Sequence, residues 1–110
     1  YALSCGGPII HPALGAVVIA PISPHTLSDR PIVVGRESRI EVRLVARSAA
    51  RAQITCDGVL LGDLEERSRL LIGPSSESIT LLHPQGHDYF RLLRSKLHWG
   101  RSGRTGGLES

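Results

Sequence analysis

Ala52-Gln53-Ile54-Thr55-Cys56-Asp57-Gly58-Val59-Leu60-Leu61 decides the fold of this 110-residue chain. Ala52, Ile54 and Cys56 alternate with Gln53 and Thr55, the period-2 pattern of a strand with one wet face. Asp57-Gly58 then reads as a two-residue hairpin turn, because both residues tolerate the positive φ that a type I′ turn demands. Val59-Leu60-Leu61 is the returning strand.

Working outward, Ile40, Val42 and Leu44 alternate with Arg39, Glu41 and Arg43 and form the clearest periodic segment. Its partner is expected to be the Ala52–Cys56 strand. Gly15 to Ile22 reads as a buried, β-branched strand that ends in the turn Ser23-Pro24-His25-Thr26, and Pro31–Val34 as a second short strand closed by Gly35. Arg69–Ile72 and Ser78–Leu82 complete a run of six or seven short strands. After Pro84-Gln85-Gly86 the period changes: Tyr89, Phe90, Leu93 and Leu97 fall at helical spacing, with Asp88 at the start and Gly100 just past the end. The stripe is wider than so small a sheet needs, which points to a missing neighbour. Residues 101–110 are Gly, Ser and charge, and are expected to be disordered. The expected fold is therefore mainly β with one C-terminal helix.

Bulk properties narrow the function classes. A chain of this length supports one small domain. No stretch approaches the roughly 18 apolar residues of a membrane span, and no charged n-region and cleavage site precede the longest apolar run, Ala16–Ile22, so that run is not expected to be a signal peptide. Cys5 and Cys56 have no metal-site spacing and are read as reduced, cytoplasmic thiols. The chain starts at Tyr1 and lacks methionine, so it is expected to be a piece of a longer reading frame. Net charge is +3, and arginine supplies all basic residues except Lys96. Arg36, Arg39, Arg43, Arg47 and Arg51 crowd one segment; Arg91, Arg94, Lys96, Arg101 and Arg104 crowd another. Such clusters attract phosphates or nucleic acid, or form a solvated face.

The catalytic inventory is thin. Gly6-Gly7 precedes proline and Gly106-Gly107 precedes Leu108, so neither is a phosphate-binding P-loop. His83 and His87 are four apart, yet Pro84 and Gly86 break the helix that would align them on a metal. Asp57 has two readings, turn residue or ligand contact, and His25 reads as a loop residue. Tyr1 to Pro12 is the most specific segment. Its Gly-Gly-Pro allows a sharp turn and close ligand approach, with backbone amides presented as in a nucleotide-binding loop.

Tyr1-Ala2-Leu3-Ser4-Cys5-Gly6-Gly7-Pro8-Ile9-Ile10-His11-Pro12 resembles the NAD kinase motif Gly-Ser-Thr-Ala-Tyr-x-x-Ser-x-Gly-Gly-Pro, entered at its tyrosine. Pro21-Ile22-Ser23-Pro24-His25-Thr26-Leu27 with Arg30-Pro31 is similar to that family's next block. Thr55-Cys56-Asp57-Gly58 resembles its later hairpin, and Tyr89-Phe90 through Lys96-Leu97-His98-Trp99-Gly100 its terminal helix. Four ordered blocks run in register from Tyr1 to about Gly100. Cys5 departs from the small alanine that many members carry there, with size kept.

The resemblance implies that residues 1–100 are a β-sandwich-like, NAD-binding carboxyl-terminal domain, and 101–110 a tail. It implies a missing amino-terminal α/β domain with a Gly-Gly-Asp-Gly-Thr loop, against which the last helix packs. The implied reaction transfers the γ-phosphoryl of ATP, or of polyphosphate, to the 2′-hydroxyl of the adenosine ribose of NAD, giving NADP. It implies magnesium or another divalent metal in the intact enzyme, none held by these residues alone, and a dimer or tetramer. By motif matching, Tyr1 and Ser4 sit beside adenine and ribose, Gly6 and Gly7 turn the chain behind them, Ser23 and His25 approach the dinucleotide, and Asp57 lies near the site. The proposed base is absent, since no Gly-Gly-Asp occurs here, so the chain alone is expected to be inert. Alternative readings are the carboxyl-terminal domain of a diacylglycerol-type lipid kinase, which the Pro-His-Thr-Leu block disfavours, and a small basic β domain that binds nucleic acid. Four aromatics in the whole chain weaken the latter, because single-strand binders stack bases on several.

Overall fold

Among the described residues six strands and one helix form, in the order β1 Ala16–Ile19, β2 Ile32–Gly35, β3 Ile40–Arg43, β4 Ala52–Cys56, β5 Val59–Leu64, β6 Arg69–Ile72 and α1 Tyr89–Leu97. The computed structural model describes residues 1–22, 29–45 and 51–98. The chain divides into two units, Tyr1–Ser76 and Glu77–Ser110. The expected tail, 101–110, lies outside the described residues. A mainly β chain with one terminal helix is what the periodicities predict.

In the first unit the strands pair as three antiparallel ribbons, β1 with β2, β3 with β6, and β4 with β5. The β4–β5 hairpin turns at Asp57-Gly58, with Cys56 opposite Val59. Asp57 has φ +49° and Gly58 φ +80°, two consecutive positive values as in a type I′ turn. The ladder then skips, because Ile54 pairs with Gly62 while Thr55 pairs with Leu60. Leu61 is the extra, bulged residue, and Gly62 takes φ +154°, which a side chain would resist. The skip has a packing consequence. It places Ile54, Gly62, Ala52 and Leu64 on one face, and Leu64, only 8% exposed, is the buried centre of this unit.

Three strand expectations need correction. β3 does not pair with β4; it pairs with β6, Ile40 opposite Ile72 and Arg43 opposite Arg69. The pairing nests the β4–β5 hairpin between β3 and β6 in the sequence, and it brings Arg69 to the Glu41 carboxylate that Arg43 of the same strand already meets. β1 is not buried on both sides: Ala16 and Val18 are half-buried, whereas Val17 and Ile19 are open. Only one edge and one face of β1 are covered, since its ribbon has two strands. Ser78–Leu82 forms no strand. Its apolar residues are largely open, Ile79 at 86% and Leu82 at 91%, and without a neighbouring edge a lone segment gains no ladder.

The second unit holds α1. Its N-cap is Asp88, whose carboxylate accepts from the backbone N–H of Phe90 at 3.0 Å and of Arg91 at 3.3 Å. This satisfies two of the donors that every helix start leaves unpaired. Arg94 and Lys96 lie in the last turn, where positive charge complements the helix dipole. The helix closes earlier than Gly100 suggested, because His98 takes the left-handed cap at φ +55°. Tyr89 and Leu93 are half-buried, while Phe90, Leu92 and Leu97 stay open.

Candidate functional site: the Tyr1–Gly7 turn

Residues 1–7 wind through a single helical turn and stop. The Gly6 N–H donates to the Leu3 carbonyl at 3.1 Å, and the Gly7 N–H reaches back five residues to the Ala2 carbonyl at 2.7 Å. Gly6 sits at φ +76°. Crossed bonds of this kind around a left-handed residue make a Schellman closure. Gly6 supplies the left-handed φ at no steric cost. Gly7 is needed for a different reason, because a Cβ there would lie 2.6 Å from the Ala2 carbonyl oxygen. Pro8, with no N–H to continue the helix, directs the chain onward.

This geometry corrects one expectation. The amides of Cys5, Gly6 and Gly7 are not presented to a ligand; each is spent inside the turn. What the turn does present is a pair of side chains. Tyr1 and Ser4 are three residues apart, hence neighbours on one face of a helical turn, and both are exposed. Among the described residues the Ser4 hydroxyl makes no hydrogen bond, so it does not cap the turn.

The chain then runs into a second small turn, where Leu14 N–H donates to the His11 carbonyl at 2.9 Å and Ala13 N–H to His11 Nδ1 at 3.1 Å. It enters β1 at Gly15, whose carbonyl accepts from the Arg36 N–H at 3.0 Å. An added Cβ on Gly15 would come within 2.7 Å of Arg36 Cδ, so the arginine stem lies across this glycine. The chain is thus held at Gly15, where it joins the β1–β2 ribbon.

Of the other candidate residues, Asp57 stands at the tip of the β4–β5 hairpin. Its backbone explains the Asp-Gly pair without using the carboxylate, which is exposed and engages no described residue. No hydrogen bond or ion pair joins it to the Tyr1–Gly7 turn. Ser23 and His25 lie outside the described residues. Cys5 is half-buried in the turn, Cys56 is exposed beside Asp57, and both are free thiols.

His83 and His87 come together in spite of the intervening Pro84 and Gly86. The His87 N–H donates to the Pro84 carbonyl at 3.2 Å, with Gly86 at φ +82°. This turn stacks the two imidazoles with centroids 4.2 Å apart and planes 6° from parallel. Parallel stacking does not suit a metal, because a ligand nitrogen binds in its own ring plane and the two planes do not meet. Among the described residues, no group of three or more His, Cys, Asp or Glu converges on a metal position. A shallow pocket of about 290 Å³ runs along α1, lined by Gly86, His87, Asp88, Arg91, Leu92 and Ser95. It contains none of the residues assigned to NAD, and Asp88 already occupies the helix N-terminus there.

The turn, the hairpin and the terminal helix thus fall where three of the sequence blocks put them, and most of the block at 21–31 lies outside the described residues. Over residues 1–95 the chain matches the ATP-NAD kinase C-terminal domain. The chain belongs to that family. It is similar to the NAD kinase of Nitrosospira multiformis, 50% identical over 99 residues, which is 90% of this chain and 33% of the relative. It is equally similar to the NAD kinase of Thiobacillus denitrificans, 50% identical over 101 residues, 92% of this chain and 34% of that protein. The NAD kinase of Methylococcus capsulatus is 44% identical over 99 residues, 90% and 34% respectively. The chain spans about a third of the length of the curated relatives it matches. Among its described residues, no helix is long and apolar enough to cross a membrane.

Sequence reasoning found Gly6 and Gly7 but missed Ala2, whose carbonyl the Gly7 amide closes on. The signal was present, since a glycine pair before proline ends a helical turn that must begin about four residues earlier.

Proposed function

We propose that this chain is the dinucleotide-holding part of an NAD kinase, which transfers the terminal phosphoryl of ATP, or of polyphosphate, to the 2′-hydroxyl of the adenosine ribose of NAD. The observation that carries the reading is the Schellman-closed turn, which holds Tyr1 and Ser4 side by side on an exposed face within a chain of the ATP-NAD kinase C-terminal domain family. Tyr1 offers a ring face to the adenine. Ser4 offers a hydroxyl that both donates and accepts, as a ribose requires. Gly6 and Gly7 fix the turn. Asp57, Ser23 and His25 complete the set assigned by motif.

Phosphoryl transfer of this kind asks for positioning and charge stabilisation more than covalent chemistry. The part assigned to these residues is to bind and orient the acceptor. No Gly-Gly-Asp sequence occurs in the 110 residues, so the base that accepts the hydroxyl proton is placed elsewhere in the enzyme, on an amino-terminal domain. Among the described residues no group of three or more His, Cys, Asp or Glu converges, and no role toward the metal is assigned to them. The same reading takes residues 1–100 as one NAD-binding domain, the assembly as a dimer or tetramer, and the compartment as the cytoplasm. A diacylglycerol-type lipid kinase is not favoured by the family match.

The test is substrate binding resolved by residue. In the full-length enzyme, Ser4→Ala and Tyr1→Ala are expected to raise KM for NAD about tenfold while KM for ATP stays within twofold. An unchanged KM for NAD in both variants would remove the assigned roles.

A further inference from the structure

The β3–β6 ribbon separates its residues by charge. One face carries Ile40, Val42, Leu70 and Ile72, while Glu41, Arg43, Arg69 and Leu71 occupy the other. On the second face Arg43 lies directly opposite Arg69, with Cβ atoms in such pairs about 5 Å apart, and like charges so placed repel. A single carboxylate serves both: Arg43 Nε donates to Glu41 Oε1, and Arg69 Nη1 stands 3.9 Å from Glu41 Oε2. The latter is an ion pair without a hydrogen bond. Two guanidiniums against one carboxylate leave a surplus of one positive charge. Among the described residues most of their ten N–H donors are unengaged, and both side chains are more than 60% exposed. Arg39, two residues before Glu41, is exposed as well.

We propose that this face binds an oligophosphate, either as the phosphate tail of a nucleotide or as a free chain. Guanidinium forks match phosphate oxygens in pairs, and a second anion between Arg43 and Arg69 relieves the cross-strand repulsion that Glu41 only halves. β3 and β6 contain no aromatic residue, so the face has no platform on which bases could stack, which favours a phosphate chain over single-stranded nucleic acid. Glu41 sets the affinity, because it competes with the ligand for the same donors. The inference does not depend on the proposed kinase reaction.

The experiment is titration of inorganic tripolyphosphate into the full-length protein at low and high salt, with ATP and adenosine as parallel probes. The double variant Arg43→Gln/Arg69→Gln is expected to weaken tripolyphosphate at least tenfold, and Glu41→Gln to tighten it about threefold. Glu65→Gln and the double variant Arg91→Gln/Arg94→Gln, equal in charge change but off the face, should shift it less than twofold. ATP binding like tripolyphosphate, with adenosine silent, identifies a nucleotide tail as a source; a free chain is identified by tripolyphosphate alone binding. Because Glu41→Gln predicts a gain, a merely misfolded variant cannot imitate the result. Equal effects from the off-face controls, or no gain on Glu41→Gln, would overturn the proposal. A short oligonucleotide binding tenfold tighter through Arg43 and Arg69 would also overturn it, in favour of a nucleic-acid face.

Discussion

Gly6 and Gly7 look interchangeable in the sequence and are not. Gly6 is glycine because of its φ of +76°, so Gly6→Ala should cost about 1 kcal/mol of stability. Gly7 is glycine because a Cβ would meet a backbone oxygen at 2.6 Å. Gly7→Ala must push the Ala2 peptide aside and should cost more, about 2 kcal/mol. Urea midpoints of the two variants check the order, and a milder effect at Gly7 would contradict the Schellman closure. Asp57 admits a similar separation of roles. Asn adopts positive φ at least as well as Asp before glycine, so Asp57→Asn should leave stability within about 0.5 kcal/mol. A raised KM for NAD in that variant would then report a ligand contact by the carboxylate, and an unchanged one a turn residue alone.

The elements show how much the sequence disclosed. The β4–β5 hairpin was legible because its information is local: alternation on both sides of an Asp-Gly pair specifies the turn, and the turn specifies the register. The partner of β3 was not legible. Ile40-Glu41-Val42-Arg43 alternates equally well beside β4 or β6, and the cross-strand contact of Glu41 with Arg69 separates them. The Ser78–Leu82 segment misled in the opposite way, since its apolar residues promise a strand and the ladder it requires is not supplied by the described residues. In α1 the start was readable from Asp88, whereas the end was placed at glycine although His98 serves as the left-handed cap. Asp88→Ala removes an acceptor for two helix amides and should destabilise α1 by about 1 kcal/mol. Helix content by circular dichroism should fall, and an unaltered spectrum and melt would argue that the cap contributes nothing. Of the candidate site, the Tyr1–Gly7 turn was legible as a motif. Its side-chain display was not, because it depends on which amides the turn consumes.

At the scale of the molecule, apolar surface is the dominant feature. Leu64 is the one buried hydrophobic among the described residues, while Ile32, Val59, Leu61, Leu71, Ile79 and Leu82 are all more than half exposed. Edges of two-stranded ribbons and open apolar faces invite association. The 110-residue chain alone should therefore bind a hydrophobic dye and melt without a sharp transition, whereas a sharp melt of a monomer would show that its apolar surface closes by itself. The chain's membership in the ATP-NAD kinase C-terminal domain family, and its span of about a third of its relatives, give that surface a rationale within the proposed enzyme. The most direct test of the central claim is the formation of NADP from NAD, ATP and magnesium, measured for the full-length protein and for these 110 residues alone. The account predicts product from the first, with a raised KM for NAD in Ser4→Ala, and none from the second. Absence of NADP from the full-length protein, or NADP made by the 110 residues alone, would contradict it.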